Sequence, residues 1–169
     1  FMLLTFTRVS EMVGMTWSEV DVDRAVWTIP AARMKMGKAH LVPLSTQAIG
    51  LLTELRQING DWLYVFASPY NKREPMCAST IRKVIYRMGY KDRMTGHGFR
   101  ALALTAIQEE LGYPFDVADA QLAHGKRRGL GEAYDRAKFI EQRRVMMQDW
   151  SNYIERVENE YKRNIERTA

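Results

Sequence analysis

The sequence predicts an α+β fold that is mainly α-helical, with a small three-stranded antiparallel sheet near the N-terminus. Residues 25–44 are rich in β-forming side chains and are punctuated by Pro30 and Gly37. From residue 79 onward, apolar positions recur at spacings of three and four, the helical period. A chain of 169 residues, 46% of them hydrophobic, can build the core of one compact domain.

Taken in order, Glu11, Met12 and Met15 fall at helical spacing within 10–16, and Trp17-Ser18-Glu19-Val20-Asp21 reads as an exit into a loop. Ala25-Val26-Trp27-Thr28-Ile29 reads as a strand stopped by Pro30. Strands over 33–36 and 39–44 are expected on either side of a tight turn at Gly37-Lys38. Ser45 is a good N-cap for a helix to about Ile58, with Ile49, Leu52 and Leu55 or Arg56 on one face and Asn59-Gly60 as its stop. Tyr64-Val65-Phe66 suits a short extended piece, and helices follow over 80–88, 98–111 and about 115–123. Tyr113-Pro114 separates the last two, because proline disfavours helical geometry at the residue before it. A long final helix is predicted from about Gly131, carrying an apolar stripe of Met147, Trp150, Ile154, Val157 and Tyr161. The stripe must be covered by its own domain or by a neighbouring molecule, and the shortage of other core formers after residue 155 favours the neighbour.

Composition narrows the function classes. Cys77 is the single cysteine, so neither an intramolecular disulfide nor a cysteine zinc site can form, which points to a reducing compartment and the cytoplasm. No stretch approaches the roughly 18 uncharged apolar residues of a membrane span, and no cationic segment opens the chain as in a signal peptide. The start, Phe1-Met2-Leu3-Leu4-Thr5-Phe6-Thr7-Arg8, reads as an element already in progress and predicts a fragment lacking an upstream portion. A net charge of +5 and a pI near 9.4 fit a polyanionic partner. The cations cluster at Lys35 and Lys38, Lys72 and Arg73, Arg82 and Lys83, and Lys126 and Arg127; all but the first, with Lys38, are the candidate DNA-contacting residues.

Six residues suit the breaking and rejoining of a phosphodiester: Arg8, Lys35, His97, Arg100, His124 and Tyr134. The non-bridging oxygens of phosphorus need neutralising, and the planar fork of an arginine matches two oxygens at once. Arg8 and Arg100 are the candidates. His97 and Arg100 stand at i and i+3 in Thr95-Gly96-His97-Gly98-Phe99-Arg100, so they share a face if a helix begins near His97. Tyr134 becomes a nucleophile only if a base accepts its proton or cations stabilise the phenolate; His97 or His124 could be that base. A departing 5′-oxygen needs an acid, for which Lys35 is the candidate and Lys38, at the turn, the weaker alternative. A phosphotyrosine ester would store the energy of the broken bond, so rejoining needs neither nucleotide triphosphate nor other cofactor. Three histidines without ligand spacing offer no metal site. Taken singly, Arg8 and Glu11 would read as a surface ion pair, and His40 as structural.

The ordered set resembles the catalytic domain of a tyrosine recombinase, of the phage integrase family carried by prophages. The resemblance runs over roughly residues 1–150, from Thr7-Arg8-Val9-Ser10-Glu11 through the lysine hairpin and Leu41-Val42-Pro43-Leu44 to His97-Gly98-Phe99-Arg100, Leu122-Ala123-His124 and Tyr134. Residue 123 is alanine where the family usually has glycine. The resemblance implies the tyrosine recombinase catalytic fold over 1–150, a C-terminal helical extension over 151–169, and an upstream core-binding domain outside this chain. It further implies Arg8 and Arg100 as phosphate clamps, Lys35 as general acid, His97 as acid or base, His124 as a phosphate or leaving-group contact, and Tyr134 as nucleophile. The implied activity is metal-independent site-specific recombination of double-stranded DNA attachment sites, for prophage integration or excision, through a 3′-phosphotyrosine. The implied partners are DNA, further copies forming a homotetramer on DNA (a monomer or weak oligomer without it), and accessory bending or directionality proteins, in the bacterial cytoplasm. Type IB topoisomerase-like relaxation and a non-catalytic DNA-binding relative are the competing readings.

Overall fold

The computed structural model describes residues 1–123 and 139–168. Helix α1 (Met2–Thr5) is one turn, closed by Phe6 in the left-handed region at φ 38°. That reversal delivers Arg8 to the N-cap of α2 (Val9–Val13). A 3-10 turn, Trp17–Glu19, leads into the sheet, β1 (Val20–Asp21), β2 (Val26–Ile29) and β3 (His40–Pro43), antiparallel throughout in the order β1-β2-β3. Trp27 lies opposite Val20 on one side and Val42 on the other, and Trp27, Ile29 and Val42 are fully buried.

The sheet has the expected strand number but not the expected strands. No strand forms over 33–36: Ala31–Arg33 is a 3-10 turn after Pro30, and residues 34–39 are loop. The third strand is Val20–Asp21, in the segment expected to be loop. Alternation fails at the hairpin because two consecutive residues turn inward. Arg33 reaches Glu11 and Glu19, while Met34 is buried in the core.

Helix α3 (Thr46–Asn59) starts as its cap predicts, with the Ser45 hydroxyl accepting from the Ala48 amide at 3.2 Å, and Leu52 fills the core. Tyr64 bridges antiparallel to Thr16, and the Val65 amide bonds the Met15 carbonyl. The remaining helices among the described residues are α4 (Ser79–Arg87), α5 (Gly98–Glu109), α6 (Phe115–Leu122) and α7 (Ile140–Thr168). No helix among the described residues is long and apolar enough to cross a membrane.

The described residues form two apolar cores. The first joins α1, α2, the sheet and α3 through Met2, Met12, Met15, Trp27, Val42 and Leu52. The second joins α5, α6 and α7 through Ala103, Ile107, Leu122, Met146 and Trp150, and also takes in Phe6. Met2 and Phe6, at either end of α1, thus sink into different cores, and Arg8 emerges at the seam. Contrary to the expectation of a neighbour, the first half of the α7 stripe packs on its own domain. Met146, Met147, Trp150 and Ser151 are at most 2% exposed, and Ser151 bonds the Ser45 hydroxyl at 2.7 Å. The helix runs unbroken through residue 150, and beyond it Val157 and Tyr161 are exposed.

Candidate active site

Arg8 caps α2 with extended backbone, and Glu11 closes on it twice. The Glu11 carboxylate accepts from the Arg8 amide at 2.8 Å and from its guanidinium at 2.5 Å. Its carboxylate is buried, so this is not the surface ion pair that the two residues alone suggest. The Arg8 side chain stays 27% exposed, held by a buried anion with its outer edge toward solvent.

Arg100 lies in the first turn of α5, only 3% exposed. Nη1 donates to the Phe6 carbonyl at 2.8 Å and Nη2 to the Leu122 carbonyl at 2.7 Å, while Nε has no partner. One side chain therefore ties the Arg8 segment to the end of α6, immediately before His124. Burial lowers the Arg100 pKa to about 10; the positive charge of Arg8 adds to this, and Glu11 opposes it. Two guanidinium groups near enough to repel each other form a centre that an anion would relieve.

His97 is the N-cap of α5, exposed, and its carbonyl accepts from the Arg100 amide at 3.0 Å. The Thr95 hydroxyl accepts from the Gly98 amide at 2.9 Å and completes the turn. Gly96 explains how the two boxes meet, since a Cβ there would lie 2.6 Å from Val9 Cγ2 and 3.2 Å from Met2 Cε. Only glycine lets the His97 loop press onto α1 and α2.

Lys35 stands exposed on the turn closed by the Gly37 amide and Met34 carbonyl, and no hydrogen bond or ion pair joins it to the arginines. Lys38 is exposed on the same loop. Lys72 and Arg73 are exposed on the loop before α4, Lys72 sitting 5.1 Å over the Trp62 ring, and Arg82 and Lys83 are exposed on α4 itself. His124, Tyr134, Lys126 and Arg127 lie outside the described residues. The structure thus brings together Arg8, Arg100 and the backbone of His97, with Leu122, two residues before His124, beside them.

Sequence reasoning read His40 as structural but missed Arg143 and Gln121, which complete a supporting layer. Arg143 of α7, 3% exposed, bonds the Gln121 side chain and the Leu41 carbonyl. His40 bonds the Gln121 carbonyl at 3.0 Å, and burial with the nearby charges of Arg143, Arg100 and Arg8 pushes its pKa down to about 3, so the ring is neutral. Ala123 closes α6 in the left-handed region at φ 49°, which is where glycine is favoured. An open cleft bordered by Ser18, Glu19, Asp21 and Asp23 contains none of the predicted site residues and has the wrong charge for a polyanion. Among the described residues, no three His, Cys, Asp or Glu side chains gather as a metal site.

The family model described as the phage integrase family matches residues 1–141, a stretch containing the arginine, lysine and histidine boxes and Tyr134. The chain belongs to the phage integrase family. It is 40% identical to the prophage integrase IntA of Escherichia coli K12 over 90% of this chain and 37% of that protein. It is 37% identical to the integrase of Enterobacteria phage P4 over 94% of this chain and 40% of that protein. The chain therefore spans well under half the length of these integrases. A crystal structure of XerA recombinase shares the fold at TM-score 0.59 and 19% identity, over 84% of this chain and 56% of that one.

Proposed function

We propose that this chain is the catalytic domain, over 1–150 with a helical extension over 151–169, of a site-specific recombinase acting on double-stranded DNA attachment sites. The observation that carries this reading is the pairing of Arg8 and Arg100 at one seam, with His97 one turn away. Arg8 is braced by a buried carboxylate and Arg100 by two backbone carbonyls, so both charges are preorganised before any anion arrives. The naming of the relatives as integrases favours recombination over topoisomerase-like relaxation.

In the proposed reaction the Tyr134 oxygen bonds to phosphorus as the bond to the 5′-oxygen breaks. The phenolic proton passes to His97 or His124, and Lys35 protonates the departing oxygen. Reversal by a 5′-hydroxyl of a second strand rejoins the DNA, with no metal or triphosphate required. Arg8 and Arg100 offset the charge that grows on the non-bridging oxygens. Lys38, Lys72, Arg73, Arg82, Lys83, Lys126 and Arg127 would hold flanking phosphates, and a homotetramer on DNA, with accessory bending or directionality proteins, would pair the two sites. Tyr134→Phe in the complete protein should abolish covalent protein–DNA adducts on a nicked trap substrate while leaving DNA binding nearly unchanged. An adduct that persists in that variant overturns the assignment.

A further inference from the structure

Arg33 sits two residues before Lys35 and is the least expected ionic contact in the fold. It ends the 3-10 turn Ala31–Arg33, but its guanidinium turns back toward α2 and the Trp17–Glu19 turn. Nη1 donates to the Glu11 carbonyl at 2.8 Å, and Nη2 pairs with the Glu19 carboxylate, which also accepts from the Trp27 indole at 3.0 Å. Gly14 is shaped around it: a Cβ at that position would lie 2.6 Å from Arg33 Nη1. Glu11 is thereby shared, its carboxylate holding Arg8 and its carbonyl holding Arg33. Met34, the next residue, is buried, and His40 is buried at the start of β3, so residues 35–39 form a short span between fixed ends.

We infer that Arg33 is a positioning residue that sets the Lys35 turn against the Arg8 clamp through Glu11. An exposed lysine on a loop has many rotamers, and no hydrogen bond to another described residue fixes it, so its reach toward one phosphate depends on where its backbone is tethered. Arg33 provides that tether on the same residue that orients Arg8. The inference rests on the proposed role of Lys35, whose ammonium gives a proton to the 5′-oxygen and becomes a neutral amine as the phosphorus–oxygen bond breaks.

The test uses the complete protein and two DNA substrates, one ordinary and one with sulfur replacing the bridging 5′-oxygen. A thiolate leaves without an acid, so the sulfur substrate reports everything except leaving-group protonation. Arg33→Ala should slow cleavage of ordinary DNA by about 10²-fold, and the sulfur substrate should restore cleavage close to the unsubstituted rate, as it should for Lys35→Ala. Gly14→Ala, whose Cβ would lie 2.6 Å from Arg33 Nη1 and 3.3 Å from the Ser10 carbonyl, displaces chiefly the Arg33 guanidinium; it should show the same pattern more weakly and carries the comparison if Arg33→Ala fails to fold. Rescue of Lys35→Ala without rescue of Arg33→Ala or Gly14→Ala overturns the positioning role and leaves Lys35 as the acid. Failure to rescue Lys35→Ala overturns the acid assignment and this inference with it.

Discussion

Nη1 of Arg100 donates a 2.8 Å hydrogen bond to the carbonyl of Phe6, 94 positions earlier in the chain, while Nη2 holds the carbonyl of Leu122. The residue proposed to grip phosphate is thus also a structural fastener. Arg100→Lys keeps the charge but cannot span both carbonyls, leaving one buried acceptor unpaired. Stability should fall by about 2 kcal/mol in urea unfolding, and cleavage by at least about 10²-fold. An unchanged unfolding midpoint would show that the two carbonyls do not depend on the fork.

His40 makes the fold acid-sensitive. Its folded pKa is pushed down to about 3, below the ordinary value near 6.5, so the unfolded chain takes up a proton that the folded chain refuses. The associated stability is complete above about pH 6.5 and is lost as pH falls toward 3. Between pH 7.5 and 5.0 this one ring should remove about 2 kcal/mol, and His40→Gln should flatten that slope. An equal pH dependence in the variant would place the acid sensitivity elsewhere.

Ala123 occupies a left-handed helix cap at φ 49°. Relieving its Cβ strain outweighs the loss of one half-buried methyl group, so Ala123→Gly should raise stability by about 0.5 kcal/mol, read as an increase in Tm. A lower Tm would mean that the methyl group's contacts with the first core matter more than the backbone strain.

Truncation of α7 should divide sharply by position. Ending the chain after Gln148 removes Trp150, which is 2% exposed and lies edge-on to Phe6 with ring centroids 6.3 Å apart, and should cost at least about 3 kcal/mol. Ending it after Arg156 removes an exposed segment and should change Tm little. Only the shorter cut is therefore a clean test of whether Val157 and Tyr161 dock on another copy. Equal melting of both truncated chains would contradict the packing of α7 on its own domain.

Legibility tracked the range of the forces involved. The Ser45 cap, the Tyr113-Pro114 break and the shared turn of His97 and Arg100 depend on neighbours within a few residues, and each was readable from the chain. Arg33 was not, because a basic residue at the start of an expected strand reads as solvated until the tertiary fold sets Glu11 and Glu19 beside it. Arg143 left a faint signal, falling on the same helical face as Met146, Met147 and Trp150. It reads there as a charge just before the apolar stripe begins, since its partners Gln121 and Leu41 are 22 and 102 residues away. The two-residue strand Val20–Asp21 is too short to show a period.

The position of Arg8 at the seam between two apolar cores has a thermal consequence. Its brace, Glu11, travels with the sheet-side core, whereas Arg100 is anchored to the helical one through Phe6 and Leu122. A slight parting of the two bodies widens the grip on an anion while each keeps its own helices and strands. Heat inactivation should therefore set in below the temperature at which circular dichroism registers melting.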